Sequence, residues 1–126
     1  MDIKVIRYTM EYLRIETSTE LFRVRPEEIA YIKADGNYST FFLIGGFTKT
    51  LTFQLHYMEA ALNSLQGNTF VRVGRSLIVN KIHIRSICVP EQTLVLGGKE
   101  FGSFLPAIKV AKEPLQSLKE SLKGSS

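Results

Sequence analysis

The chain has little that could staple or metallate it: one cysteine, two histidines, four prolines and no tryptophan in 126 residues. A lone cysteine closes no internal disulfide, so burial and hydrogen bonding must hold the fold. Cys88 sits between Ile87 and Val89, which reads as a small core position rather than a reactive thiol. His56 and His83 have neither an i, i+4 partner nor a neighbouring set of Cys, Asp or Glu, so their spacing is not that of a metal site. Long apolar runs are missing too, the longest being a few residues against the roughly 20 needed to cross a bilayer. The start, Met1-Asp2-Ile3-Lys4, lacks the apolar stretch of a signal peptide. The expectation is a cytoplasmic protein with no membrane contact.

Catalytic patterns are equally scarce. No nucleophile elbow or triad motif is visible. Gly45-Gly46 and Gly97-Gly98 lack the strand-to-helix setting and the lysine of a phosphate-binding loop, and read as hairpin turns. Carboxylates cluster only as Glu27-Glu28, on a turn. The reading is a protein that is not an enzyme, with no cofactor and no small-molecule substrate.

Acidic charge is unevenly spread. From Met1 to Asp35 acids and bases nearly balance, whereas between Gly36 and Pro90 only Glu59 opposes Lys49, Arg72, Arg75, Lys81 and Arg85. With a net charge of +4, the excess lies in the middle of the chain. Such a stretch is either a solvated face or a polyanion-binding one.

What is present is strand pattern. At this length, with 44% hydrophobic residues, the chain suits one domain with its own core. Tyr12 to Glu16 and Leu21 to Arg25 read as a hairpin around Thr17-Ser18-Thr19, the second arm placing Phe22 and Val24 on one face and Arg23 and Arg25 on the other. Ile29 to Lys33 and Tyr38 to Ile44 flank Asp35-Gly36-Asn37; Gly45-Gly46 precedes Phe47. Gly97-Gly98 joins Leu94-Val95-Leu96 to a strand through Phe101. The fold class is mainly β: antiparallel sheets with hairpin connections, one short amphipathic helix and a C-terminal helix. The first helix is expected over Phe53 to Gln66, with Leu55, Met58, Leu62 and Leu65 at helical spacing, Thr52 capping its start and Gly67 closing its end. The second carries Ile108, Ala111, Leu115, Leu118 and Leu122, with Pro114 expected to break or kink it. Lys123 to Ser126 is expected to fray.

The stretch "FVRVGRSLIVN", Phe70 to Asn80, joins an alternating strand to a short apolar run through Gly74, Arg75 and Ser76. It resembles the signature of the LytTR DNA-binding domain, F-x-R-x-H-R-S-x-x-V-N. "EEIAYIKADGNYSTFFL", "TLTFQLHYMEAALNSL" and "FLPAIKVAKEPL" are similar to that family's I-x-Y-I-E-A-x-x-N-Y run, its helix and its closing L-P-V-S-R-x-Y-K segment. The resemblance divides the chain into an extension (1–11), a DNA-binding domain (12–115) and a tail that is partly helical and then frayed (116–126). It implies elongated antiparallel β-sheets whose loops, rather than a recognition helix, enter the major groove of double-stranded promoter DNA to regulate transcription.

On that resemblance Arg75, Asn37 and Lys109 are the base contacts. A guanidinium suits such work, offering two parallel donors to guanine O6 and N7. Ser39, Thr40, Lys49, Gly74, Ser76 and Lys81 are the backbone or hinge residues. Two positions depart from the pattern. Gly74 replaces a histidine, leaving backbone that approaches closely or takes a positive φ; Ala107-Ile108-Lys109 replaces Val-Ser-Arg, and lysine lacks the bidentate fork. Family regulators carry a receiver domain or membrane segment ahead of this part, and neither fits before Tyr12. A stand-alone protein and a fragment of a longer regulator both remain open. A homodimer on repeated half-sites is the implied assembly. The competing class is a non-enzymatic protein–protein interaction module on the same β-rich domain. A third, single-stranded nucleic-acid binding, rests on Tyr31, Tyr38, Phe41 and Phe42, whose alternation suits core residues better.

Overall fold

Three apolar residues in succession, Leu77-Ile78-Val79, suit a strand only when both of its faces are covered. Both are. The structure, a computed structural model, describes residues 3–98, 103–104 and 107–124. In chain order its strands are β1 (Ile3–Thr9), β2 (Tyr12–Thr17), β3 (Leu21–Val24), β4 (Ile29–Asp35), β5 (Tyr38–Leu43) and β6 (Thr48–Thr52). Helix α1 (Leu55–Asn63) follows, then β7 (Phe70–Val73), β8 (Leu77–Asn80), β9 (Ile84–Cys88), β10 (Thr93–Gly98), β11 (Ser103–Phe104), β12 (Ile108–Lys109) and helix α2 (Lys112–Lys123). The architecture is mainly antiparallel β-sheet with hairpin connections and two helices, as the sequence patterns predict.

The central sheet has the order β6-β5-β4-β8-β7. On one face, Ile32, Phe41, Leu51, Phe70 and Ile78 pack with Leu13, Ile15, Phe22 and Val24 of the β1-β2-β3 sheet and with Leu55, Met58 and Leu62 of α1. On the other, Tyr31, Val73, Leu77 and Val79 meet Leu94, Leu96 and Ile108 of the third sheet and Leu115 and Leu118 of α2. Successive side chains of a strand point to opposite faces, so Ile78 enters the first core while Leu77 and Val79 enter the second. Ile29 to Ile32 is continuously buried for the same reason.

Asn80 pins this arrangement from inside. Fully buried at the end of β8, it donates from Nδ2 to the carbonyls of Ile29 (2.9 Å) and Pro26 (3.3 Å) and accepts from the Thr69 hydroxyl at 2.6 Å. A buried amide is tolerable when its partners are present. The asparagine of the signature is therefore a structural tie between β8 and the entry to β4.

Several expectations are corrected. Helix α1 is shorter than Phe53 to Gln66: Thr52 ends β6, Gln54 holds the N-cap position without a side-chain bond, and Ser64, not Gly67, caps the C-terminus. Pro114 neither breaks nor kinks α2; it sits in the first turn, where an amide N–H has no intrahelical acceptor to lose. Ile108 belongs to β12, in the second core, rather than to the helix. Residues 3–9, where no element was read, form β1, which pairs along β2 from Ile3↔Thr17 to Thr9↔Tyr12. Cys88 is half-buried, opposite Thr93. Phe101, Ser125 and Ser126 lie outside the described residues.

Candidate nucleic-acid interface

The register of the central sheet brings two polar turns to one end. Strand β4 pairs with β8 through Lys33↔Leu77, and the Ala34 amide donates to the Ser76 carbonyl at 2.8 Å. One step beyond Ala34 the chain turns through Gly36 and Asn37 into β5; one step before Ser76 stands Arg75. Asn37, Gly74, Arg75 and Ser76 are all exposed. Each turn depends on a glycine in the left-handed region, with φ of +63° at Gly36 and +66° at Gly74.

The hinge is held from two sides. Arg72, on β7, donates from one guanidinium nitrogen to Glu59 of α1 at 2.8 Å and from the other to the Arg75 carbonyl at 2.6 Å. The two bonds use both terminal nitrogens of the planar guanidinium. On the opposite side lies the first turn of α2: a Cβ built on Gly74 would sit 3.7 Å from Pro114 Cγ. Arg72 and Pro114 thus set the backbone from which the Arg75 guanidinium projects. Neither role was read from the sequence, although the alternation of Phe70 and Val73 with Arg72 marked it as a half-exposed strand residue.

The other expected contacts are dispersed. Lys109 is exposed on β12, shortly before α2, and donates to the Glu91 carbonyl at 3.1 Å. Thr40 is half-exposed on the face that carries Lys33, its hydroxyl 2.8 Å from that of Thr50 across the β5-β6 pair. Ser39 faces the interior at 1% exposure and donates to the Phe53 carbonyl, so it has no free hydroxyl to offer. Lys49 pairs with Glu20 and ties β6 to the β2-β3 loop. Lys81 follows β8 at the end opposite Arg75, a strand length of roughly 13 Å away. Tyr31 and Phe41 are buried, whereas Tyr38, beside Asn37, is 57% exposed. Lys33 and Lys112, not singled out in the sequence, are exposed beside the hinge pairing and at the start of α2.

Among the described residues no group of three or more His, Cys, Asp or Glu gathers to hold a metal, and no helix is long and apolar enough to cross a membrane.

A model of the LytTr DNA-binding domain matches residues 19–123. The chain belongs to this family. Its members are DNA-binding regulatory domains, which makes DNA the partner class and transcription regulation the general role. A solved structure described as a LytTr DNA-binding domain, from Bacillus cereus, superposes with a TM-score of 0.63 at 20% sequence identity, covering 90% of this chain and 98% of that one. That likeness is one of fold. No curated protein matches the chain. The family match begins at residue 19, so β1 and β2 precede it.

Proposed function

We propose that this LytTr domain reads double-stranded promoter DNA in the major groove through the end of the central sheet that carries the Gly74-Arg75-Ser76 hinge and the Gly36-Asn37 turn. The observation that carries the reading is their adjacency, fixed by the Ala34 to Ser76 hydrogen bond, with both glycines in the left-handed conformation and Asn37 and Arg75 exposed. Arg75 supplies the bidentate contact to a guanine edge and Asn37 an amide contact beside it. Lys109 reaches the duplex from β12. Thr40 and Ser76, with Lys33 and Lys112, contact phosphates and set the register. Ser39 and Lys49 are left out because one is buried and the other is committed to Glu20; Lys81 is left out because it stands at the far end.

The domain acts in the cytoplasm and without catalysis. Two copies occupy repeated half-sites about one helical turn, roughly 10 base pairs, apart.

Selection of bound sequences from a random duplex library, run in parallel with Arg75→Ala, tests the reading. The variant should lose about 1–3 kcal/mol on the preferred duplex and relax its preference at one base pair. Unchanged affinity and unchanged preference would leave Arg75 an ordinary surface residue, and the proposed orientation on DNA would be wrong.

A further inference from the structure

The near-neutral N-terminal third of the sequence is not near neutral in space. In the β1-β2-β3 sheet Arg7 is directly opposite Arg14, and Arg14 directly opposite Arg23. The residues on either side, Ile6-Ile15-Phe22 and Leu13-Val24, turn toward the core, which places the three arginines on the outer face. Neighbouring strands lie about 4.8 Å apart, so the guanidiniums spring from a line roughly 10 Å long. Arg25 joins them: Arg23 lies 4.1 Å and Arg25 5.1 Å from the centre of the Tyr12 ring. Within the paired strands Glu16 is the one carboxylate on the outer face, and it bonds Arg14 at 3.0 Å; Glu11 and Glu27, just outside them, face Arg25. Glu20 is turned to Lys49 instead. Arg7, Arg23 and Arg25 are exposed.

Folding alone does not favour such a row, because like charges directly opposite on a sheet repel. The Tyr12 ring draws two guanidiniums together, Arg23 over the ring and Arg25 beside it with a hydrogen bond to the Tyr12 side chain. The sheet also reaches the proposed reading end. Lys4, in β1, lines a cleft of about 680 Å³ together with Asn37, Thr52 and Tyr57, so the strand that carries Arg7 begins beside the Asn37 turn.

We propose that the outer face of the β1-β2-β3 sheet is a second, sequence-independent contact to the nucleic-acid backbone, in which the Arg7-Arg14-Arg23 row with Arg25 neutralises phosphates of the duplex held at the loop end. The occupant is a phosphodiester chain because the face offers an array of guanidiniums, on a sheet whose first strand begins beside the turn proposed to enter the groove, in a fold whose family binds DNA. The inference rests on the loop reading for its geometry but not for its test. Arg7 and Arg14 precede the residues the family model matches, whereas Arg23 and Arg25 lie within them, so the face spans the start of the matched domain.

The test is the salt dependence of binding of the full chain to a labelled duplex of about three helical turns, roughly 30 base pairs. Arg7→Gln/Arg23→Gln should give a slope of log K against log salt shallower by about two, each phosphate contact supplying about 0.9. Between about 50 and 200 mM salt the wild type should therefore lose about tenfold more affinity than the variant. Base preference should not change, and the thermal midpoint should not fall. Arg7→Lys/Arg23→Lys, which keeps the charge, should restore most of the slope. Coincident slopes for wild type and the glutamine variant would overturn the proposal and leave the face to an acidic protein segment. A failure of Arg75→Ala to alter base preference overturns the loop reading while the slope still reports on the arginine row, so the two fail separately.

Discussion

Replacing Gly74 by alanine isolates what the hinge demands of its backbone. The φ of +66° lies where an L-residue meets its own carbonyl, at a cost of about 1–2 kcal/mol. Space is not the difficulty. The new methyl would meet Pro114 Cγ at 3.7 Å and Cβ at 3.8 Å, ordinary contact distances. Alanine also narrows the unfolded ensemble, which returns about 0.4–1 kcal/mol, so the net loss should be about 1 kcal/mol. If the hinge relaxes to a negative φ instead, it moves the Arg75 carbonyl away from Arg72 and the Ser76 carbonyl away from Ala34, and binding suffers more than stability. Gly74→Asn is the control, because asparagine tolerates the left-handed region. Urea unfolding should rank glycine and asparagine close together and alanine below both at equal m-values. Anisotropy on the selected duplex should show alanine the weakest binder. Alanine as stable as glycine would mean that the hinge is not left-handed in solution; asparagine as destabilising as alanine would point to crowding by Pro114. Histidine, which the family pattern has here, is also among the residues enriched at positive φ, so the departure at Gly74 preserves the backbone while removing a side chain.

Two further outcomes follow from the core. Asn80→Leu keeps the volume but strands the Pro26 and Ile29 carbonyls and the Thr69 hydroxyl, and should cost about 3 kcal/mol in urea unfolding; a loss below about 1 kcal/mol would show that water replaces the amide. Burial pushes the Tyr31 phenol above its ordinary value, so the unfolded chain releases that proton first. Stability from this group is intact below about pH 10 and falls as pH rises above it. Tyr31→Phe, which keeps the stacked contact with Phe42 at 4.3 Å, should soften the alkaline loss, and superimposable alkaline profiles would remove the assignment.

Much of the candidate site was legible because its chemistry is local. A glycine and a guanidinium between two strand patterns mark a turn that presents one side chain, and Asp35-Gly36-Asn37 marks another. These signals depend on φ preferences and on period-two alternation, which neighbouring residues set among themselves. The first strand was illegible for the converse reason. Its turn is made by Met10 and Glu11 at φ of +53° and +70°, without glycine, asparagine or aspartate, and a bulge between Ile3 and Val5 spoils the alternation. Helix α1 read too long because Phe53 and Leu65 carry the helical spacing past the residues that are helical; both pack on the first core from outside the helix.

Tertiary structure alone decided which polar residues are available. Ser39 and Thr40 are neighbours in the chain, yet one is buried against the Phe53 carbonyl and the other lies on the half-exposed face beside Lys33, because adjacent strand residues face opposite layers. Lys49 and Arg72 look alike as isolated bases, but Glu20 takes one and Glu59 with the Arg75 carbonyl takes the other across separations of 29 and 13 residues. The arginine row is the clearest case. By itself the sequence determined a β-rich chain with two polar turns and a resemblance to a DNA-binding signature. Only strand register, which is a property of pairing between segments, aligned Arg7, Arg14 and Arg23 on one face, with Glu16 bound to Arg14 and Glu20 turned to Lys49.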